Sequence, residues 1–506
     1  MNKHCFSIIT LASLLLAFGG TNVRAQFDET NSLFYHAQRA PQSNLLNPAF
    51  HPNRNTFYMI LPGTDIQFGS PLAVSDLIYY DKAREVSVIN LDTIFHRLSE
   101  DNQFRIGANV QLFGFGFKIK HLYLNANLRM VNQLSIGLPI STVNAFLQGN
   151  VGEDGKIIPD LELLNGDIFN AQSYIETSIG GAFHIDKLNL TIGAHAKLLG
   201  GIVSAQTDRT RIAFETDPTL DAVTARMYYE LQAAGAVHYD TVNGFDFKNK
   251  SVSDIIMGVF DNRGLAFDLG VRWDLGPFSF SLAINDLSSG IHWNKNVYTV
   301  VPKYGQGAIE FNGVDINNML DQGTFSMDSI ENYLQERLDG MTPRTVADSG
   351  DYWTAVPTKL NLGANITLLK YLRAGLLFHG QIDRGIFTRA NAASAAGIVS
   401  EVANTFRWNL TASFSANLFN WAELIVGSSI VYDGQNVDFF NPGAGLLLTP
   451  GTCFQTYVMA DYVSSIYLTD SKAFNLKLGL NLLFGKGGKK KPLFDPIGTI
   501  LTPNEQ

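Results

Sequence analysis

Long stretches of the chain alternate strictly between apolar and polar residues. Residues 406–418 show this most fully, with an apolar residue at each even position from Phe406 to Leu418 and a polar residue at each odd position. A helix would spread these residues around its circumference, whereas a β-strand places each set on its own face. Segments 188–198, 265–275 and 474–482 repeat the pattern. The chain is therefore predicted to be all-β.

Less regular alternation predicts further strands. They lie at 104–112, 122–130, 175–185, 225–233, 278–284, 372–382, 422–432 and 456–462, with more at 57–68, 202–214, 291–301 and 437–448. Together the segments amount to about fourteen to sixteen strands, and we predict about fourteen because single-chain barrels have an even number.

The connections between these segments are of two kinds. Asp186-Lys187 and Gly276-Pro277 are short enough for hairpin turns, whereas other connections are long. Long connections occur at 148–171, 236–262, 302–350 and 384–404, and within them 328–338 and 391–403 could be helical. Short turns on one side and long loops on the other are typical of a closed antiparallel transmembrane β-barrel, with the long loops outside.

The length of the alternating segments favours a membrane barrel. The most regular ones cover more than the 5–6 residues of an average strand and match the roughly 9–11 of a membrane-spanning strand. Trp273 and Trp408 lie toward segment ends, where an interfacial aromatic belt would be. The alternative is a large secreted β-sandwich whose apolar faces pack against each other, and alternation alone leaves it open.

The two ends of the chain differ from the middle. Residues 1–25 have a polar start, an apolar run from Phe6 to Phe18 and the small-residue end Val23-Arg24-Ala25, which predicts a cleaved signal peptide. An N-terminal anchor is the alternative, but the run is shorter than the ~20 residues of a spanning helix. We expect a segment at 26–56, a barrel at 57–484 and a flexible basic tail at 485–506, either solvated or touching anionic lipid. Cys453 is the only cysteine after residue 25, so no internal disulfide is expected.

Composition and motifs argue against several function classes. A net charge of −9 with 16% charged residues gives no basic field for nucleic acid. The histidines and cysteines lack metal-ligand spacing and no nucleophile motif is present, so we expect no metal, no cofactor and no enzyme. His195, His379, Asp268, Asp274 and Asp383 fall on polar faces. Ion pairing in the lumen is the favoured interpretation for the carboxylates, with solute selectivity as the alternative.

The segment Asn44-Leu45-Leu46-Asn47-Pro48-Ala49-Phe50 carries a resemblance. Its Asn-Pro-Ala motif before the first strand is similar to the hatch of FadL-type fatty-acid transporters and of related secretion-associated barrels. That resemblance implies that 26–56 is an N-terminal hatch or plug segment, with ligand gating at Asn47, Pro48 and Ala49, and that the barrel offers a route for apolar ligands. The alternative is a simple turn, since Asn and Pro both favour turns.

A second resemblance covers most of the mature chain. It is to an uncharacterised family of Bacteroidetes outer-membrane β-barrels, a domain of unknown function, and rests on short motifs. These are the Asn-Pro-Ala start, Leu138-Pro139, Gln148-Gly149-Asn150 and Gly200-Gly201. It implies a location in the cell outer membrane.

Two functional hypotheses follow. The first is passive transport or binding of small apolar compounds by a barrel surrounded by outer-membrane lipid. The alternative is a barrel-anchored interaction protein, whose loops 236–262 and 302–350 engage a secretion or surface-assembly partner.

Overall fold

A computed structural model provides the structure of the chain, apart from a few isolated positions, for the following residues: 32–52, 56–81, 84–90, 102–148, 160–165, 168–217, 222–240, 244–246, 260–302, 307–311, 343–347, 350–383, 406–419, 421–432, 437–451, 453–462 and 472–485. The predicted signal peptide, the predicted helices at 328–338 and 391–403, and the predicted tail after Gly485 lie outside these residues.

Strands dominate the described residues. In chain order the strands are β1 (Phe57–Ile60), β2 (Gly63–Gly69), β3 (Ile78–Asp81), β4 (Val86–Ile89), β5 (Gln103–Ile119), β6 (Leu122–Gly137), β7 (Asp160–Asn165), β8 (Phe169–Ile185), β9 (Leu190–Asp217), β10 (Ala222–Gly235), β11 (His238–Asp240), β12 (Gly244–Asp246), β13 (Arg263–Leu275), β14 (Phe278–Trp293), β15 (Tyr298–Pro302), β16 (Gly307–Phe311), β17 (Pro343–Ala347), β18 (Tyr352–Thr354), β19 (Thr358–Leu369), β20 (Leu372–Ile382), β21 (Phe406–Phe419), β22 (Ala422–Tyr432), β23 (Val437–Leu448), β24 (Phe454–Asp461) and β25 (Ala473–Phe484). The helices are α1 (Val74–Leu77), α2 (Ile140–Gln148) and three 3₁₀ turns at Phe34–His36, Pro41–Leu45 and Asp186–Leu188.

Fourteen strand positions close into a ring by antiparallel pairing. β1 and β2 together occupy one position, and the ring continues through β5, β6, β8, β9, β13, β14, β19, β20, β21, β22, β23, β24 and β25. Closure is direct, because Phe57 in β1 pairs with Phe484 in β25 on one side and with Phe117 in β5 on the other. The prediction of a closed antiparallel barrel of about fourteen strands is confirmed.

The apolar faces of the strands point outward. In β13, Leu265, Phe267 and Leu269 are about half exposed, at 56%, 51% and 53%, while Asp268 between them is fully buried. The same inversion holds in β21, where Asn409 and Thr411 are fully buried and the apolar residues lie outside. An apolar exterior around a polar interior is the arrangement of a barrel surrounded by lipid, and it excludes a sandwich in which apolar faces meet.

The two ends of the barrel are different. At one end, here called the turn end, short turns join β5 to β6, β8 to β9, β13 to β14 and β19 to β20. The first residue of β1 and the last residue of β25 also lie at this end. The opposite end, called the loop end, carries the long connections. No helix within the described part of the chain has the length and apolarity that a transmembrane helix needs.

Several strands run farther than the alternation predicted. The segments 188–198 and 202–214 are parts of a single strand, β9, whose first part pairs with β13 and whose second part pairs with β10. The predicted strand at 225–233 therefore belongs to an extension beyond the loop end, with β7, β15, β16 and β17, rather than to the ring. β19 is missing from the predicted strands, although Leu360, Leu362 and Ala364 alternate with polar residues or glycine there.

Candidate functional site

The chain before β1 lies inside the barrel. Residues 32–52, here called the interior segment, are buried throughout except for the partly buried Arg39, Leu45, Leu46 and His51. Two 3₁₀ turns shape the segment, and Pro41 suits the first position of the second turn because it has no N–H to satisfy there. The contacts of the segment reach strands around most of the ring, so it fills the lumen toward the turn end.

Apolar side chains of the interior segment pack on the lumenal wall. Leu33 and Phe34 join a buried cluster with the wall residues Ile425, Leu447, Tyr457 and Met459. Glycines make this approach possible: a Cβ at Gly427 or Gly443 would come within 2.7 Å of a Leu33 methyl group. The wall is thus shaped to receive a side chain from the segment.

Polar side chains fix the same segment by hydrogen bonds. The amides of Gln42 and Asn481 exchange two bonds of 2.6 and 2.9 Å, and His36 Nδ1 lies 3.0 Å from Asn365 Oδ1. Arg373 donates to the carbonyl oxygen of His36. Burial, together with the charge of Arg373, lowers the pKa of His36 to about 4, so the ring is neutral at pH 7.

A carboxylate joins the interior segment to the wall near the turn end. Glu423 is 1% exposed and lies 3.7 Å from Arg39 of the segment and 3.4 Å from Arg373 of the wall. Arg39 also donates to Asn417 Oδ1 at 2.9 Å. If the segment left, Glu423 would keep Arg373 and lose Arg39, so this ion pair contributes to holding the segment in place.

The three residues that the resemblance marked lie together against the wall. Asn47 is fully buried, and its Oδ1 accepts the N–H of Ala49 at 2.9 Å, which is an Asx turn. Its Nδ2 lies 3.3 Å from the hydroxyl of Tyr35. A Cβ on Gly193 or Gly270 of the wall would overlap Pro48 or Asn47. The Asn-Pro-Ala motif is therefore both a turn and a contact with the wall.

A charge network crosses the wall midway along the lumen. Lys197 Nζ lies 2.6 Å from Asp286 Oδ1, 2.9 Å from Asp268 Oδ2 and 3.6 Å from Glu176 Oε1. Arg129 pairs with Glu176 at 2.6 Å, and His195 Nδ1 lies 3.4 Å from Asp268. All of these side chains come from neighbouring strands. Charges inside a membrane barrel are costly unless they are paired, and each charged group of this network lies beside one of opposite sign.

The lumenal carboxylates predicted from alternation are all ion-paired. Asp268 pairs with Lys197, Asp274 with Arg272 at 3.0 Å, and Asp383 with Arg407. The interpretation of these residues as members of lumenal ion pairs is confirmed. His379 is also lumenal, with Nδ1 2.7 Å from Asn361 Oδ1.

Asp286 belongs to the network for a reason that alternation cannot reveal. It lies at an irregularity in the pairing of β13 with β14 and has a left-handed φ of 58°. Its N–H donates to Asp268 Oδ1 at 2.8 Å. A β-bulge redirects side chains, and here it turns the carboxylate of Asp286 into the lumen.

A small cavity, here called the chamber, lies between the interior segment and the loop end. It has a volume of about 40 Å³, which at 10–15 Å³ per molecule is room for roughly three waters. Its charged lining residues are Asp65, Arg129, Asp286, Lys359 and Lys477, and Leu45 and Leu46 of the interior segment also line it.

An apolar cluster lies on the loop-end side of the chamber. Trp293 and Ile291 are fully buried in it, and Val131 and Tyr174 belong to both the cluster and the chamber lining. Trp293 fits over Gly201 and Gly235, where a Cβ would be 2.5 and 3.1 Å from its ring. From the loop end to the turn end, the lumen thus contains an apolar cluster, a charged chamber and the interior segment.

Comparison with solved structures returns membrane β-barrels. The Pseudomonas putida toluene transporter TodX matches with a TM-score of 0.38 and 8% identity over 88% of this chain and 92% of that one. A Pseudomonas aeruginosa FadL homologue matches with a TM-score of 0.42 and 9% identity over 92% and 99%. The translocator domain of the Neisseria meningitidis autotransporter NalP gives 0.31 and 8% over 90% and 99%. Similarity this low carries no inference about function, and the fold assignment depends on the strand pairing.

Sequence comparison identifies the family. No curated protein matches the chain. A family model matches residues 48–461, which include the Pro48-Ala49 part of the turn motif and all of the barrel strands except β25. The chain belongs to the family of unknown function DUF5723.

Proposed function

We propose that this chain is an outer-membrane barrel that lets small solutes pass through its lumen, and that the interior segment is the hatch of this passage. The observation that carries the proposal is the way the segment closes the lumen. It is folded, buried and held to the wall by non-covalent contacts on many strands. A segment held in this way can move without unfolding the barrel.

The character of these contacts supports a movable hatch. A hydrogen bond between neutral groups contributes about 0.5–1.5 kcal/mol, and the bonds of the Gln42 amide and the His36 ring to the wall are of this kind. Charged groups add the Arg39–Glu423 ion pair and the bond from Arg373 to the carbonyl oxygen of His36. Strand pairing, by contrast, closes the ring without contributions from the segment. Release of the segment would break these contacts and leave the strand pairing of the ring intact.

Orientation follows from the barrel ends. Membrane barrels of this type have short turns in the periplasm and long loops outside. We accordingly place the turn end and the hatch on the periplasmic side and the chamber on the route from the outer surface. The signal peptide at 1–25, the hatch boundaries at 26–56 and the tail at 485–506 stay predictions.

The solute class implied by the FadL-type resemblance is apolar, and this also stays a prediction. The apolar cluster around Trp293 is a surface on which such a compound could pack. The chamber beneath it is charged, however, so an apolar solute would have to cross a polar layer before it reached the hatch.

The experiment that tests the proposal locks the hatch. Gln42→Cys and Asn481→Cys, in a Cys453→Ser background, place thiols on a hatch residue and its hydrogen-bond partner in the wall. A short reducible thiol-to-thiol cross-linker should abolish solute flux into proteoliposomes, and reduction should restore it. The matched controls are the two single-cysteine variants treated with the same reagent. Flux that is unaffected by the cross-link, or absent before it, would contradict the proposal.

A second candidate function has its own structural support. β9 continues beyond the ring and forms an extension with β7, β10, β15, β16 and β17 at the loop end. Such a platform suits the alternative of a barrel-anchored interaction protein for secretion or surface assembly. That alternative is favoured by two results together. The intact barrel would show no solute flux, and removal of β15–β17 would abolish co-purification of a partner.

A further inference from the structure

Two ion pairs of the same composition face each other across the chamber. Asp65 Oδ2 lies 3.4 Å from Lys477 Nζ on the adjacent strands β2 and β25. Asp286 Oδ2 lies 3.5 Å from Lys359 Nζ on β14 and β19. Along the fourteen-strand ring, β2 and β14 are six positions apart, and so are β19 and β25. The two pairs therefore lie on opposite sides of the ring. Both line the same cavity, so it has one carboxylate and one ammonium group on each of two opposite walls.

Neutral polar side chains complete the lining of the chamber. Asn109, Gln133, Asn285 and Asn361 place amide groups beside the charged groups. A polar molecule in the chamber can therefore exchange hydrogen bonds with the wall.

The overall charge around the chamber is balanced. The charged side chains of the chamber and the adjoining network are the cations Arg129, Lys197, Lys359 and Lys477 and the carboxylates Asp65, Glu176, Asp268 and Asp286. A simple anion would gain an ammonium group but lie beside a carboxylate, and a simple cation would meet the reverse. An apolar solute would displace water from charged groups without replacing its hydrogen bonds.

We propose that the chamber binds a small zwitterionic solute, of the size of a free amino acid such as glycine, between the Asp65–Lys477 and Asp286–Lys359 pairs. This inference rests on the proposed function, because it names the solute class of the same passage. A zwitterion that spans the chamber places its carboxylate near an ammonium group on one wall and its ammonium near a carboxylate on the other. The room for roughly three waters suits a molecule this small.

The site adjoins the hatch on both sides. Lys477 Nζ lies 4.7 Å above the ring of Phe34, a hatch residue. Asn285, the neighbour of Asp286, donates to the carbonyl oxygen of Leu45 at 3.3 Å. A solute that engages these ion pairs therefore acts on residues that touch the hatch directly.

The test measures binding to the full mature chain in detergent micelles by titration calorimetry. The probes are glycine, propionate, propylammonium and benzene, which separate the zwitterion from an anion, a cation and an apolar molecule. We expect saturable binding of glycine and none of the other three at matched concentration. Binding of propionate, propylammonium or benzene equal to that of glycine would overturn the proposal, as would absence of glycine binding.

Substitutions on the two walls test whether the solute spans the chamber. Lys359→Met and Asp65→Asn should each weaken glycine binding about tenfold or more, which is the loss of one charge-assisted hydrogen bond. Asp186→Asn, in an exposed turn outside the lumen, is the matched control and should leave the dissociation constant unchanged. A shift in gel mobility on heating shows that each variant still folds as a barrel. Unchanged glycine binding in both folded chamber variants would overturn the proposal.

The two proposals can fail separately. Glycine binding is measured on a barrel whose hatch is in place, and the cross-linking experiment measures flux of any small solute. Glycine binding without flux would remove the proposed passage and keep the site. Hatch-dependent flux without glycine binding would keep the passage and remove the zwitterion site.

Discussion

The two halves of the lumen are held together by different forces. Toward the turn end, the interior segment is attached mainly by amide hydrogen bonds and apolar packing, as at Gln42 and Leu33, with the Arg39–Glu423 ion pair added. Around the chamber, neighbouring strands are joined by charges, with Lys197 between three carboxylates. Contacts between neutral groups separate at a low cost in free energy, whereas a buried charge that loses its partner is expensive. The comparison indicates a movable half and a rigid half.

The largest expected effect is on the rigid half. Lys197→Met removes the ammonium group that Glu176, Asp268 and Asp286 share, and leaves three carboxylates close together in the lumen. We expect a loss of about 3–5 kcal/mol in the free energy of unfolding. Guanidinium unfolding of the refolded barrel, followed by tryptophan fluorescence, measures it. Lys359→Met breaks an ion pair whose ammonium group is more exposed, so it should lower the free energy of unfolding clearly less. Equal losses in the two variants would contradict the interpretation of the Lys197 network as the rigid part of the lumen.

The next effect concerns the outer side of the same wall. Leu269 is 53% exposed and adjoins Asp268, but it points to the opposite face. Leu269→Arg should lower the free energy of unfolding in lipid vesicles by about 2–4 kcal/mol, because it places a charge on the lipid face near the middle of the strand. Leu188→Arg, in a turn at the turn end, is the control and should change it little. A cost equal to that of the control would refute a lipid-facing wall.

A smaller effect is expected on the movable half as the pH falls. The pKa of His36 is about 4 with the hatch in place, against about 6.5 for a free histidine. The docked hatch thus binds fewer protons than the released hatch, so the stability of docking falls as pH decreases from about 6.5 toward 4. The change is about 1.4 kcal/mol, or tenfold in the docking equilibrium, for each pH unit in that window.

The measurement for His36 is solute flux into proteoliposomes at pH 7 and pH 5.5. Flux should rise at the lower pH because more hatch is released. The charged group that acts on this ring is Arg373, which in turn pairs with Glu423. His36→Gln keeps a hydrogen-bonding side chain without the titration, so it should remove the pH dependence. A variant with the same pH response as the native chain would assign the titration to another group.

The smallest effect is expected where the two halves meet. Asn285→Ala removes the hydrogen bond to the carbonyl oxygen of Leu45 and the one that Asn285 accepts from Asn361. Of the two, only the bond to Leu45 joins the hatch to the wall, and it is worth about 0.5–1.5 kcal/mol, so flux should rise roughly two- to tenfold while the free energy of unfolding of the barrel changes little. Ser413→Ala, a lumenal change on β21 away from the chamber, is the control. A loss of barrel stability as large as that of Lys197→Met would contradict the separation into two halves.

Much of the fold could be predicted from alternation because the period of a strand is short and local. Phe406 to Leu418 reads as a strand with two unlike faces, and the structure places its polar face in the lumen. The extension of β9 could not be predicted, because nothing local shows where the ring ends and a strand continues beyond it. β19 had the signal, with Leu360, Leu362 and Ala364 in alternation, and could have been found.

The candidate site was less predictable than the fold. Asn47, Pro48 and Ala49 came from a resemblance, and the structure places them against Gly193 and Gly270 without testing a gating role. Lys197 and Asp268 fall on polar strand faces, so their lumenal position follows from alternation. Asp286 does not, because a bulge changes which residues of β14 face inward, and a bulge depends on the pairing of two strands.

By itself the sequence determined the faces of the strands, since successive side chains of a strand point alternately to lipid and to the lumen, whichever strand lies beside it. It also determined that charge would be confined to one face. Only the tertiary structure decided which charges meet, because Asp65 and Lys477 are more than 400 residues apart in the chain and come into contact only when β2 pairs with β25 to close the ring. The chamber is a product of that closure, as is the fit of the interior segment inside it.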